Sequence, residues 1–342
     1  MRTYFKIAWR NIWRVRNRTF ITTFAILIAV FLSVIMRGFQ FGSYDLMMKN
    51  AVENYSGYIQ IHKNGYWEDK VIDNVFNDTD SLRKAVSETE NVSVIIPQVN
   101  YSSLAAYELQ SKGVIITGIV PSIEEKRMKL SDKIIQGSYL TENDDGVLIA
   151  ENLAKYLKIE TGDTLVLRSN GYHGVSADGI FPVRGIIKLP APDLNSVLIV
   201  MDLVKCQYFF DINGMVTEYC INIDDLDKID ETKKALQDRL PDKYEVMAWY
   251  EIRPELMQQI ESDNASGVIF LGLLYLIIAF GVFGTIMMMT MERRKEFGVM
   301  VAIGMRKTSL AKVLVIETMI IGFMGIVLGL LCAIPVNFYY HI

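Results

Sequence analysis

Cysteine, histidine and proline are scarce in this chain, at 3, 3 and 8 residues among 342. His62, His173 and His341 stand far apart and form no HExxH pair, which removes a zinc-protease helix. No GxxxxGK(S/T) loop occurs, so there is no recognisable phosphate cradle for ATP. No GxSxG turn presents a nucleophilic serine. Asp144-Asp145-Gly146 and Asp224-Asp225 are short acidic clusters that lack the ligand spacing of a calcium loop and read as turns. The chain thus offers no metal site, no catalytic residue and no case for an enzyme. Cys206 and Cys220 fall in the middle of the chain, where a disulfide is conceivable; spacing alone does not fix one, and two buried free thiols are the other reading. Cys332 lies in an apolar block.

Apolar residues are plentiful instead. They make up 51% of the chain, mean hydropathy is +0.22, and both values point to a membrane protein. They concentrate in three blocks, 20–36, 268–289 and 313–336, each near the ~20 residues that a spanning helix needs. The first block is followed by Arg37-Gly38-Phe39 rather than a small-residue cleavage site, so it reads as a retained anchor. Total charge is −4, but residues 1–18 hold six basic and no acidic side chains, and residues 291–312 six basic and two acidic. That leaves −14 for the remainder. Lys and Arg beside spans stay on the cytoplasmic side, so the N terminus and residues 291–312 are expected inside and the acidic middle outside.

Six segments follow. Residues 1–18 predict an amphipathic helix on the inner membrane surface, with Phe5, Ala8, Trp9 and Ile12 on one stripe and Lys6, Arg10 and Arg14 on another. Its aromatic face and its continuation into a span speak against nucleic acid. Residues 19–56 carry the first span and an outer stalk, with Leu46, Met47 and Tyr55 as packing positions. Residues 57–248 mix β-rich runs with helical ones, including helices at 81–88, 151–157, 202–209 and 225–239, and predict an α+β domain in two lobes. Among the strand runs, 92–96 and 104–109 read as separate. Residues 169–179 read as an exposed hairpin tip or projecting loop, either merely solvated or a partner contact. Residues 249–290 hold a second stalk helix (249–263) and the second span, and 313–342 the third. The fold class expected is an α-helical membrane protein with a large α+β extracytoplasmic domain, N terminus inside and three spans visible.

Gly281 and Gly284 in the second span, and Gly322, Gly325 and Gly329 in the third, are candidate helix-packing positions, Gly325 and Gly329 forming a GxxxG face. Glycine is also simply common in membrane helices. Glu317 stands inside the third span, where an acidic residue is a functional candidate by default; snorkelling to the nearby surface, or pairing with Arg306 or Lys307, is the plainer expectation. Residues 291–312 organise the rest. Their ends are charged and residues 297–305 carry no charge, too short a run to span a bilayer. Phe297, Met300, Val301 and Gly304 recur at the spacing of one helix face. Such a helix either takes up motion from a soluble partner or anchors the loop at the interface.

Three stretches resemble the FtsX-like permeases of ABC transporters, and among them the lipoprotein-releasing (Lol-type) permeases. AWRNIWRVRNRTFITTFAILIAV (8–30) is similar to the family's first helices. GVLIAENLAKYLKIETGDTLVL (146–167) with FPVRGIIK (181–188) is similar to the MacB-like periplasmic domain. MERRKEFGVMVAIGMRK (291–307) is similar to the coupling segment. The resemblance implies a bacterial inner-membrane subunit in which Glu296, Phe297, Met300, Ala302, Ile303 and Gly304 dock a separate ATPase dimer. That partner would bind ATP and Mg, with no cofactor in this chain. A second permease, identical or paralogous, membrane lipid and a periplasmic lipoprotein carrier are the other implied partners. Asn170, Tyr172, His173 and Asp178 are the candidate carrier contacts, by position. The family carries a fourth span that does not follow here, so the sequence is expected to be part of a longer one. The function expected is mechanotransmission that extracts lipoproteins. The alternatives are a signalling permease controlling a cell-wall hydrolase, a MacB-type efflux permease, or an unrelated membrane receptor or scaffold.

Overall fold

The computed structural model describes residues 2–14, 16–49, 52 and 56–340; Tyr55 and His341 lie outside these. The chain divides into two compact units, Met1–Leu46 with Met257–Ile342, and Met47–Leu256. The second unit therefore takes in the ends of both expected stalks.

Three helices, Arg16–Met48, Pro254–Glu292 and Lys307–Tyr340, have 33, 39 and 34 residues. At 1.5 Å per residue each is about 50–58 Å long, more than the ~30 Å hydrocarbon layer. They are the three helices long and apolar enough to cross a membrane among the described residues. The expected second stalk is not a single helix. Trp249–Ile252 stops at Arg253 (φ −129°, ψ 66°) and the long helix starts at Pro254. Proline bars its predecessor from the helical region and has no N–H to waste at a first helical position.

The third long helix meets the first at glycine. A Cβ on Gly325 would lie 2.7 Å from Ile26, and one on Gly329 would lie 2.8 Å from Val30, so these positions let two backbones approach. Gly281, Gly284 and Gly322 differ: among the described residues nothing lies within 4 Å of their would-be Cβ. Farther along, Tyr44 donates to Asp263 Oδ2 (2.7 Å), Gln40 Nε2 to the same oxygen (3.0 Å), and Arg37 to Asn264 Oδ1 (2.8 Å), tying the first and second helices. The N-terminal helix Arg2–Arg14 splits its stripe. Ala8 and Ile12 are buried, Ile12 in a cluster with Met289 and Ile321, whereas Phe5, Trp9 and Trp13 are exposed. Half of the face expected on lipid is thus spent on the protein.

The second unit contains β1 (Ile59–Lys63), β2 (Phe76–Asn77), β3 (Val92–Tyr107), β4 (Gln110–Ile119), β5 (Ile134–Gly137) and β6 (Val147–Ala150). It continues with β7 (Thr164–Asn170), β8 (Ser176–Ile187), β9 (Leu198–Asp202), β10 (Met215–Val216), β11 (Glu218–Ile223) and β12 (Tyr244–Ala248). The main sheet runs β12-β1-β11-β3-β4-β9-β6-β8-β5, and β7 pairs with both β3 and β8. The ring β3-β4-β9-β6-β8-β7 is therefore a closed six-stranded barrel, with β4–β9 and β6–β8 parallel. Closure leaves no free edge among those six. Leu148, Leu165, Leu167 and Ile116 are fully buried. β3 is one 16-residue strand where the sequence suggested two. Pro97 does not break it, because at that point only β11 pairs with β3; β4 joins from Val99, so the missing N–H is not needed.

β1 and β11 bury both of their faces. Ile59, Ile61, Tyr219 and Ile221 enter the apolar core, while the alternate residues Gln60, His62, Glu218 and Cys220 are buried on the other side. Cys206 and Cys220 are both free and buried, so no disulfide joins them. Burial pushes both thiols up, away from the reactive thiolate.

Candidate functional site

Residues 291–312 fold as a break at Arg293, a nine-residue helix Arg294–Ala302, and a turn into the third long helix. Arg293 and Glu317 are 6% and 2% exposed. Arg293 Nη1 donates to both Glu317 oxygens, at 3.0 and 3.2 Å. The guanidinium also lies over the Phe297 ring, 5.1 Å from its centroid, with Nε 3.7 Å from Glu296. A planar fork that can pair and stack at once suits this place better than an ammonium. The partner expected for Glu317, Arg306 or Lys307, is thus replaced by Arg293. Glu317 stands well inside the helix that Lys307 starts, about 15 Å along its axis, and both basic residues are exposed.

Around this pair sits a second ring. Arg14 Nη1 donates to Glu296 Oε2 at 3.1 Å, Arg18 pairs with Glu292, and Tyr4 donates to Ser309 Oγ at 3.2 Å. The short helix is therefore braced from behind by the N-terminal helix. Its end is closed by a Schellman turn, with Gly304 N–H on Val301 O and Met305 N–H on Met300 O, both 3.0 Å. Gly304 has φ +103°, a conformation that carries little strain only in glycine.

The six residues expected to dock a partner fall into two groups. Phe297 is buried and Glu296 is committed to Arg14, so these two fix the helix. Met300 is half-buried. Ala302, Ile303 and Gly304 are exposed, Ile303 at 82%, together with Val299 at 57%. The supposed common face fails at Gly304 because the helix ends at Ala302. Arg293, Arg14 and Arg18 are the members sequence reading missed. The available signal was an arginine ending one span opposite a lone carboxylate in the next.

In the second unit, residues 169–179 are mostly strand, and the tip is docked instead of projecting. Tyr172 N–H donates to Phe210 O (2.9 Å) and His173 N–H to Asp73 Oδ1 (2.7 Å). Asn170 is exposed at the end of β7, and Asp178 is paired with Arg168 across the strands at 2.6 Å. Beside that pair, Val166 and Ile180 are opposite each other and both exposed. Among the described residues no group of three His, Cys, Asp or Glu could hold a metal ion.

Residues 19–239 match the family described as MacB-like periplasmic core domain, and residues 268–340 match FtsX-like permease C-terminal. The chain is 21% identical to the lipoprotein-releasing system transmembrane protein LolC of Neisseria meningitidis, over 77% of this chain and 65% of that one. It is 28% identical to the ABC transporter permease YtrF of Bacillus subtilis, over 46% and 37%. It thus spans less than two thirds of the length of either relative. Among solved structures it is similar to the periplasmic region of MacB from Actinobacillus actinomycetemcomitans, with a TM-score of 0.41 and 14% identity over 63% of this chain and 98% of that one. It is also similar to the extracellular domain of the ABC-type transporter YknZ from Gram-positive bacteria, with a TM-score of 0.39 and 15% identity over 55% and 98%.

Proposed function

Because this chain belongs to the permeases that join a MacB-like periplasmic core domain to an FtsX-like membrane segment, we propose that it transmits force from a cytoplasmic ABC ATPase to its external domain, and that the load is a lipid-anchored protein. The observation that carries this reading is the short helix Arg294–Ala302. It exposes Val299, Ala302 and Ile303 while Arg293–Glu317 and Arg14–Glu296 brace it from behind. A rigidly backed apolar knob suits taking up a push, whereas a helix that merely floated on lipid would need no buried ion pair.

ATP and Mg belong to the partner in this reading, which places residues 291–312 and the N terminus in the cytoplasm of a bacterial inner membrane. The uncovered Gly281 and Gly284 support a second permease on the second long helix. The printed name of the Neisseria relative supports lipoprotein release. Drawing an acyl chain from a bilayer costs about 0.8 kcal/mol per methylene, which is work worth coupling to ATP. A carrier would meet the face bearing Val166 and Ile180, near Asn170, Tyr172, His173 and Asp178.

The test is reconstitution with the ATPase in proteoliposomes holding an acylated protein. ATP-dependent release is expected, and Ile303→Asp should abolish it while leaving the thermal unfolding midpoint unchanged. Efflux of a small molecule, or activation of a hydrolase with no release, would replace lipoprotein extraction by one of those activities. Undiminished release by Ile303→Asp would remove the knob from the mechanism.

A further inference from the structure

A cavity of about 640 Å³ opens in the external unit beside the buried polar face of β1 and β11. Gln60, Tyr66, Trp67, Tyr101 and Glu218 line it, and Lys70 reaches into it. Glu218 is 4% exposed yet poorly matched. Among the described residues, the one basic side chain within 4.0 Å of its carboxylate is His62, at 3.5 Å. His62 Nε2 lies closer to Gln60 Oε1, at 3.0 Å, and its Nδ1 is buried with no partner among the described residues. Cys220 Sγ, a weak donor, lies 3.8 Å from the same carboxylate. A buried carboxylate so served is costly unless a cation completes it.

The aromatic wall points the same way. Lys70 Nζ sits 4.2 Å from the centre of the Trp67 ring, and Trp67 and Tyr66 both lie against His62, at 5.8 and 5.3 Å between centroids. The ring faces attract positive charge, and the chain's own exposed lysine already occupies one of them. Burial and the Glu218 charge push the Tyr66 phenol up, so it remains a donor, bound to Asn100 O at 2.7 Å. Of the other charged groups on the walls, Glu251 is taken by Lys233 at 2.6 Å, and Arg253 and Glu255 carry opposite signs.

We infer that this cavity binds an organic cation, an ammonium or amidinium on a compact apolar body, with Glu218 as counter-ion and Trp67 as platform. Lys70 is then an internal competitor that any ligand displaces from the ring. The inference concerns the external domain alone and does not depend on the ATPase or on the nature of the load.

Isothermal titration of the intact chain in detergent with 2-phenylethylamine and benzamidine tests it, with 2-phenylethanol as a neutral control of the same shape. Binding of the two cations but not the alcohol is expected. Lys70→Ala should tighten binding about fivefold by removing the competitor from the ring. Glu218→Gln should weaken it about tenfold or more. Lys70 is exposed, so its variant folds whatever happens to Glu218→Gln. Equal binding of the alcohol, no tightening in Lys70→Ala, or no binding by either wild type or Lys70→Ala overturns the assignment.

Discussion

In the external unit, Leu148, Leu165 and Leu167 are withdrawn from solvent by strands that close a ring, whereas Phe270, Phe280 and Phe283 stand exposed along the second long helix. The two units solve opposite problems. The external unit must collect its apolar surface against water and does so within one chain. The membrane unit meets lipid, which is as apolar as leucine, so helix contact gains little from greasy side chains and depends on close approach or on polar pairs. Beside the small apolar cluster at Ile12, Met289 and Ile321, the membrane unit buries contacts of both kinds: Gly325 and Gly329 against the first helix, and the pair Arg293–Glu317. Its second long helix is left largely uncovered among the described residues.

The largest effect that could break this contrast lies at Arg293. Arg293→Ala leaves Glu317 buried without its cation, and about 3–5 kcal/mol of stability is expected to be lost. The double variant Arg293→Met, Glu317→Leu should return close to wild type, because hydrophobic replacement of both partners is often neutral. Thermal unfolding in detergent reads both, and an Arg293→Ala midpoint equal to wild type would show that the pair braces nothing. A smaller effect is expected at glycine. Gly325→Leu should lose about 1–3 kcal/mol by overpacking against Ile26, while Gly281→Leu should leave the midpoint of the single chain unchanged because its surroundings are open. Equal losses at the two sites would erase the difference between the second and third helices.

The smallest effect belongs to the external unit. Burial would raise the Asp78 carboxyl, but hydrogen bonds from Arg83 and Tyr219 outweigh it and hold the group below its usual range. A folded value below the unfolded one, about 3.9, makes the stabilisation complete above that pH. It is lost as pH falls through the folded value. The gap in midpoint between wild type and Asp78→Asn should therefore be widest near neutrality and narrow as pH falls through the folded value. A gap independent of pH would mean that shape rather than charge sets it.

Much of this architecture was legible in the chain. The apolar blocks gave three long helices, Glu151–Leu157 emerged with its expected bounds, and the α+β character of the middle followed from its strand runs. What escaped was everything decided by distant pairing. Barrel closure needs β7 to meet both β3 and β8, and no local pattern encodes that. Glu317 found Arg293 instead of its sequence neighbours because the brace depends on how helices pack. Residues 291–312 were recognisable as holding a short apolar helix, yet their spacing could not reveal that Phe297 turns inward beneath Arg293 while Ile303 turns out. The break at Arg253–Pro254 is written in proline chemistry, although apolar spacing by itself runs straight through it.

β3 begins as the last strand of the run β12-β1-β11-β3, with β11 beside it, and continues as a stave of the barrel. One uninterrupted peptide thus belongs to both lobes, and a protease nick in its middle would loosen each of them. Recombination between relatives therefore has no safe crossover at that boundary: the lobes must be inherited together.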